Sequence, residues 1–240
     1  MKRFFLSGTF MLYILVLLAI APIVILAQNK HLNEQKTLLC LGDSYTIGEA
    51  VGESQRFPEQ LVKMLAQYHI YFQHPQIIAK TGWTTDELAA AVAAWEKEHP
   101  NRKFDAVTLL IGVNNQYRGR DTANYRTEFK QLLTTAIHYA GTPGHVFVVS
   151  IPDWGVTPFA AKQYEVRSEQ QIAHEIDAYN EVNRQEAIMA GAHYTEITQH
   201  SRLAKHNADW IAGDGLHPSP LMYQEWAKRL SQIFVEVWKK

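Results

Sequence analysis

Between residues 37 and 239 the chain alternates short, continuous apolar runs with longer stretches of helical period. No other feature restricts its fold as much. The runs Thr37–Leu41, Gln76–Lys80, Asp105–Gly112 (DAVTLLIG), His145–Ile151 (HVFVVSI) and His193–Ile197 read as strands. Phe57–His69, with Leu61, Val62, Leu65 and Tyr68 on one stripe and Pro58 near its start, reads as a helix. Thr85–His99, Ala123–Tyr139, Ser168–Ala190 and Leu221–Lys239 read the same way, and Pro100, Gly141 and Gly191 follow three of them as stop signals. Strands alternating with helices predict a parallel sheet covered on both faces. Strands that are apolar on both sides agree with that burial. No repeat or interdomain linker interrupts the pattern, so the stretch 37–240 is expected to fold as one domain.

The N-terminus breaks the pattern. Lys2 and Arg3 precede a run without charge from Phe4 to Asn29 (FFLSGTFMLYILVLLAIAPIVILAQN). A positive end followed by such a run describes a signal peptide or membrane anchor over residues 1–28, joined by a short connection, 29–36, to the domain. Pro22 after Ala19-Ile20-Ala21 disfavours cleavage there, and the run approaches the ~20 residues of a spanning helix. The expectation is an extracytoplasmic domain, periplasmic or secreted, with residues 4–27 as the membrane-associated segment. The formal net charge of −1 and the lack of a long basic run give a nucleic-acid partner no electrostatic support. The lone Cys40 lies in an apolar run, so no intrachain disulfide can form and a buried thiol is expected. Nothing in the sequence reports the oligomeric state.

Chemistry is expected where each strand ends. After the first strand comes Gly42-Asp43-Ser44, after the second Thr81-Gly82-Trp83, and after the third Gly112-Val113-Asn114-Asn115. Before the last helix comes Asp214-Gly215-Leu216-His217-Pro218. In a parallel sheet all these ends lie on one edge. A Ser hydroxyl needs a neighbouring base to become a nucleophile, and a His can take its proton. A carboxylate fixing the imidazole completes the set, and Asp214 stands close enough to His217 for a single turn to fold it under the ring. Attack on an ester creates an oxyanion, for which the N–H groups of Ser44 and Gly82 and the Asn114 side chain are the candidate donors. Gly82 suits that task because no side chain blocks close approach to its N–H. Ser44 is also placed to cap a helix, a role compatible with the first.

These blocks resemble the SGNH/GDSL hydrolase family over about residues 37–230: GDSYTIG, Gly82 in AKTGWTT, Asn114 in IGVNN, and DGLHP. The resemblance implies a three-layer α/β/α sandwich with a parallel, flavodoxin-like sheet. It implies Ser44 as nucleophile, His217 as base and Asp214 as its orienting acid, with Ser44, Gly82 and Asn114 as the oxyanion hole. It implies ester hydrolysis through an acyl-enzyme, on a lipid, lysophospholipid or O-acyl glycan, with no metal or organic cofactor. Two positions depart from the family pattern. Asn115 stands where an Asp is common, removing a carboxylate that would brace the loop, and Met222 precedes Tyr223 where a Gly is common.

Each residue also has a plainer reading. Ser44 could only cap, Gly82 could only turn, Asn114 and Asn115 could tolerate left-handed geometry, and Asp214 and His217 could be a cap and a surface His. All four would have to coincide at strand ends in family order. Trp83, Tyr117, Trp154 and Phe159 fall at the edge of the expected site, as packing or substrate contacts, and Arg118 and Arg120 are either solvated or face an anionic group. Two rival functions remain: a metal-dependent phosphoesterase using Asp43, Asp214 and His217, and a membrane-tethered, non-catalytic binder of acylated glycan or lipid.

Overall fold

The structure, a computed structural model, describes residues 35–163 and 165–239. The signal or anchor expected over residues 1–28 lies outside the described residues. Among those described, no helix is long and apolar enough to cross a membrane. The fold occupies the compact unit Lys36–Lys240.

In chain order the elements are β1 (Leu38–Gly42), α1 (Ser44–Ile47), α2 (Phe57–Gln67), β2 (Gln76–Ala79), α3 (Thr85–Glu98), β3 (Ala106–Leu110), α4 (Val113–Tyr117), α5 (Thr122–Ala140), β4 (Val146–Val149), α6 (Pro158–Ala161), α7 (Glu169–Ala190), β5 (His193–Thr195), α8 (Thr198–Arg202) and α9 (Pro220–Trp238). The strands form one sheet in the order β2-β1-β3-β4-β5. Every pairing is parallel, with Gly42 in register with Ala79 on one side and Leu110 on the other. This is the α/β sandwich that the alternating pattern predicts.

Burial follows strand position. β1, β3 and β4 are buried along their whole length, as central strands with helices on both faces must be. The edge strands β2 and β5 are only partly buried, and they carry Gln76 and His193. On one face α2 and α9 pack together, with Phe57 against Tyr223 and Trp226. Phe234 of α9 stacks on Phe147 of β4 at 3.8 Å between centroids. On the other face α3, α5 and α7 lie side by side. Cys40 is fully buried in β1, and desolvation pushes its thiol up to about 12.

Predicted boundaries differ from those observed by at most two residues, and the caps explain some of the helix ends. Ser168 precedes α7 and accepts from the Gln171 N–H, while Gly141 and Gly191 close α5 and α7 in the left-handed conformation. The short helices α4, α6 and α8 were not expected. A single turn carries no periodicity for the sequence to display. All three sit in the loops beyond the carboxyl ends of the strands.

Gly42 sets how closely those loops approach the sheet. A Cβ at this position would lie 2.1 Å from Thr46 Oγ1 and 2.5 Å from the Leu110 carbonyl oxygen. Gly42→Ala should therefore destabilise the fold by about 1–3 kcal/mol through overpacking, read as a lowered urea midpoint.

Candidate active site

The strand order locates the site before any side chain is considered. The chain leaves β1 for β2 on one side and later returns to β3 on the other. A crevice opens outside the carboxyl ends of β1 and β3, where a doubly wound sheet holds its ligand. Ser44 follows β1 and Asn114 follows β3.

Asp43, not Ser44, caps the helix after β1. Its Oδ1 accepts from the Tyr45 N–H at 3.0 Å, and Ser44 is the first residue of α1. The expectation that Ser44 occupies the cap is thus corrected. A capping hydroxyl would turn back onto its own backbone, whereas the Ser44 Oγ stands 3.0 Å from His217 Nε2. Ser44 and His217 are both buried. The cap has an electrostatic cost: Asp43 is fully buried, its Oδ2 has no partner among the described residues, and desolvation pushes its carboxyl up to about 7 against the Tyr45 hydrogen bond.

His217 is presented by a closed turn. The Ala212 N–H donates to the His217 carbonyl at 2.8 Å, and the Gly215 N–H donates to the Ala212 carbonyl at 3.0 Å. Within this turn Asp214 folds back under the ring, as its spacing predicts. Asp214 Oδ2 lies 2.5 Å from His217 Nδ1, and Oδ1 accepts from the Leu216 and His217 N–H groups. Burial alone would raise the Asp214 carboxyl, but these hydrogen bonds outweigh it and hold the group below its ordinary range. An ionised Asp214 selects the tautomer with the proton on Nδ1, which leaves Nε2 free to accept from the Ser44 hydroxyl.

Three donors face the same pocket. The Ser44 and Gly82 N–H groups have no acceptor among the described residues. Gly82 sits in a turn closed by the Trp83 N–H on the Lys80 carbonyl at 3.2 Å, at φ +84°. Glycine is required here for that backbone angle rather than for room, since an added Cβ would meet only Arg118 Nη2 at 3.9 Å. Asn114 gives one amide hydrogen to the Trp83 carbonyl at 2.9 Å, which orients the side chain and leaves the second hydrogen available. Asn115 does brace the loop without a carboxylate. Its buried amide donates to Thr85 Oγ1 at 2.6 Å and accepts from the Thr85 N–H at 3.1 Å.

The pocket above these groups measures roughly 180 Å³ and is bounded mainly by Tyr45, Val113, Tyr117, Trp154, Phe159 and Leu216. Of the aromatic residues expected at the site edge, Tyr117, Trp154 and Phe159 line it. Trp83 does not; it serves through its carbonyl. The Trp154 indole N–H is consumed by buried Gln116 at 2.8 Å, so this wall presents ring carbon rather than a donor. Tyr45, which packs edge-on to the His217 ring at 5.5 Å, and Gln116 were not anticipated. Both depend on long-range packing that no local spacing encodes. Arg120 is paired with Asp86 and lies outside the pocket lining, while Arg118 donates to the Gly82 carbonyl at 2.7 Å.

The ligand set of the phosphoesterase rival does not assemble. Asp43 is buried at its cap, and both Asp214 oxygens are committed to the turn. The cluster with metal-ligand spacing among the described residues is Glu53, Glu59 and His74, away from the pocket, and Arg56 already bridges its two carboxylates.

A parallel sheet that delivers a hydroxyl, an imidazole held by a carboxylate, and open amide donors to one apolar pocket defines the class of serine hydrolases. Within that class, residues 40–225 match the GDSL-like lipase/acylhydrolase family, and the chain belongs to it; it is an enzyme acting on ester bonds. No curated protein matches the sequence. Among solved structures, TesA shares 18% identity at a TM-score of 0.62, covering 84% of this chain and 99% of its own. The psychrotrophic esterase EstA from Pseudoalteromonas sp., inhibited by monoethylphosphonate, shares 13% at 0.63, covering 86% and 100%. The acetylxylan esterase Axe2 from Geobacillus stearothermophilus shares 17% at 0.57, covering 84% and 93%. At these identities the likeness is one of fold.

Asp43 and Asp214 shift in opposite directions, so they shape stability in different pH windows. Folded Asp43 titrates near 7 rather than 3.8, so between those values the folded state holds a proton that the unfolded chain has released. Its contribution is fully present below about pH 4 and is lost as pH rises toward 7, at up to about 1.4 kcal/mol per pH unit. Asp214, held below its ordinary value, contributes above that value and loses its contribution as pH falls through the folded one. Asp43→Asn keeps an acceptor for the Tyr45 N–H and removes the first titration. Its urea midpoint should therefore fall less than that of the parent between about pH 4 and 7.

Proposed function

We propose that the protein is a serine esterase that forms an acyl-enzyme at Ser44 and takes esters with a short to medium acyl chain. The observation that carries this reading is the continuous hydrogen-bonded chain from Ser44 Oγ through His217 to Asp214, opening into an apolar pocket. Ser44 Oγ attacks the acyl carbon while its proton passes to His217 Nε2. The carbonyl oxygen becomes an oxyanion that accepts from the Ser44 and Gly82 N–H groups and from Asn114 Nδ2. His217 gives its proton to the leaving alcohol oxygen as that C–O bond breaks. A water then loses a proton to His217 and attacks the acyl carbon. Ser44 Oγ departs and regains the proton, and the acid is released.

The pocket supports the chain-length assignment. Its roughly 180 Å³ holds about six groups of water size. The apolar wall offers an acyl chain burial worth about 0.8 kcal/mol per methylene. An apolar run over residues 4–27 supports an extracytoplasmic, membrane-associated placement, which fractionation of cells expressing the full chain tests.

Ser44→Ala should abolish turnover and labelling by a serine-directed phosphonate, whereas turnover kept in this variant would overturn the reading. A protein with no turnover and no labelling of Ser44 would instead be the non-catalytic binder. Asn114→Ala should lower kcat about 10²–10³-fold. In a series of nitrophenyl esters, kcat/KM should rise about fourfold per methylene up to about six carbons and then level off. An optimum at acetyl would point to O-acetyl glycans.

A further inference from the structure

Arg118 lies outside the pocket lining, yet it is tied to the residue whose N–H the proposed mechanism depends on. Its Nη2 donates to the Gly82 carbonyl at 2.7 Å, and its Nη1 lies 3.4 Å from Glu87 Oε2. We propose that Arg118 is a positioning residue for catalysis: its guanidinium holds the Gly82 turn so that the Gly82 N–H stays directed at the substrate oxygen. This rests on the esterase reading above.

The need for such a restraint follows from the turn itself. Gly82 adopts φ +84°, and a glycine is the residue least confined to one backbone conformation. One hydrogen bond of 3.2 Å closes the turn. Little side-chain packing fixes Gly82 either: among the described residues other than its chain neighbours, the only atom within 4 Å of a Cβ built there is Arg118 Nη2. The next carbonyl, Trp83, is held by Asn114, and the residue after Thr84 is held by Asn115. Arg118 thus supplies the third point at which α4 and its C-cap grip residues 82–85, and it is the one nearest the donor. A charged donor makes a stronger hydrogen bond to a carbonyl than a neutral one. Glu87, which accepts from the Thr84 N–H at 2.8 Å, stands against the guanidinium from the other side.

Preorganised donors act in the transition state rather than in substrate binding, which gives the proposal a kinetic signature. Arg118→Gln should lower kcat about tenfold on a neutral nitrophenyl ester, part of the about 10²–10³-fold effect of losing a donor outright, with KM nearly unchanged. The rate of Ser44 phosphonylation should fall in parallel. Arg118→Lys, which keeps a cationic donor, should recover part of the loss. In a double-mutant cycle with Gly82→Ala, the Arg118 effect should shrink to about twofold or less, because its route runs through that residue. Unchanged kcat in Arg118→Gln would overturn the proposal. A rise in KM alone would also overturn it, assigning Arg118 to substrate binding, and so would full additivity in the cycle. Each comparison is made against an active parent that Ser44→Ala silences, so failure here differs from failure of the esterase reading. Thermal unfolding of Arg118→Gln close to that of the parent separates positioning from loss of fold.

Discussion

The hydrogen bond between His217 Nε2 and Ser44 Oγ joins residues 173 positions apart, and much of the architecture exists to make that 3.0 Å possible. Each partner is held by its own neighbourhood, but neither neighbourhood brings it to the other. Ser44 is held by the end of β1, which lies in the sheet interior between β2 and β3. His217 is held by a turn tied to its own Asp and, through the Phe159 N–H on the Gly215 carbonyl at 2.9 Å, to α6. A strand buried on both sides gives the first partner little freedom. A closed turn gives the second little freedom. Their meeting is therefore a property of the whole sheet, and anything that moves β1 against the last loop loosens it.

The short helices carry the remaining precision. α4 and its C-cap send Asn114 to the Trp83 carbonyl, Asn115 to Thr85 and Arg118 to the Gly82 carbonyl. One five-residue helix thereby fixes the loop after β2 by side-chain bonds rather than by packing. Gln116, on the same helix, fixes Trp154 and with it the apolar wall. The polar faces of α4 thus hold both the loop that carries the Gly82 N–H and the apolar wall of the pocket. Such a segment can be short because its stability comes from tertiary hydrogen bonds, not from helix propensity.

How far the sequence reveals this follows from the range of the forces involved. The strand–helix alternation is written as apolar periodicity, so β1 to β5 and the long helices can be read from it. The residues at the strand ends can be read because their chemistry needs particular side chains at particular places: Ser44, Gly82, Asn114, Asp214 and His217 all line the pocket or hold a residue that does. The cap lies at Asp43 rather than at Ser44, since either residue can cap and only the rotamer facing His217 decides. The loss of a brace expected from Asn115 was also mistaken, because an amide can give and accept where a carboxylate only accepts. Tyr45, Gln116 and the single-turn helices left no local trace. Their positions follow from which surfaces meet after the sheet has formed.

The capping role of Asp43 explains why the site tolerates its least favourable group. Asp43 keeps a carboxyl in the interior with one oxygen unpaired, and that alone opposes folding. The other oxygen caps α1, and in doing so it leaves the Ser44 hydroxyl to His217 instead of to the backbone. A serine cap with an alanine before it would be easier to bury. It would also direct the hydroxyl at its own helix and away from His217.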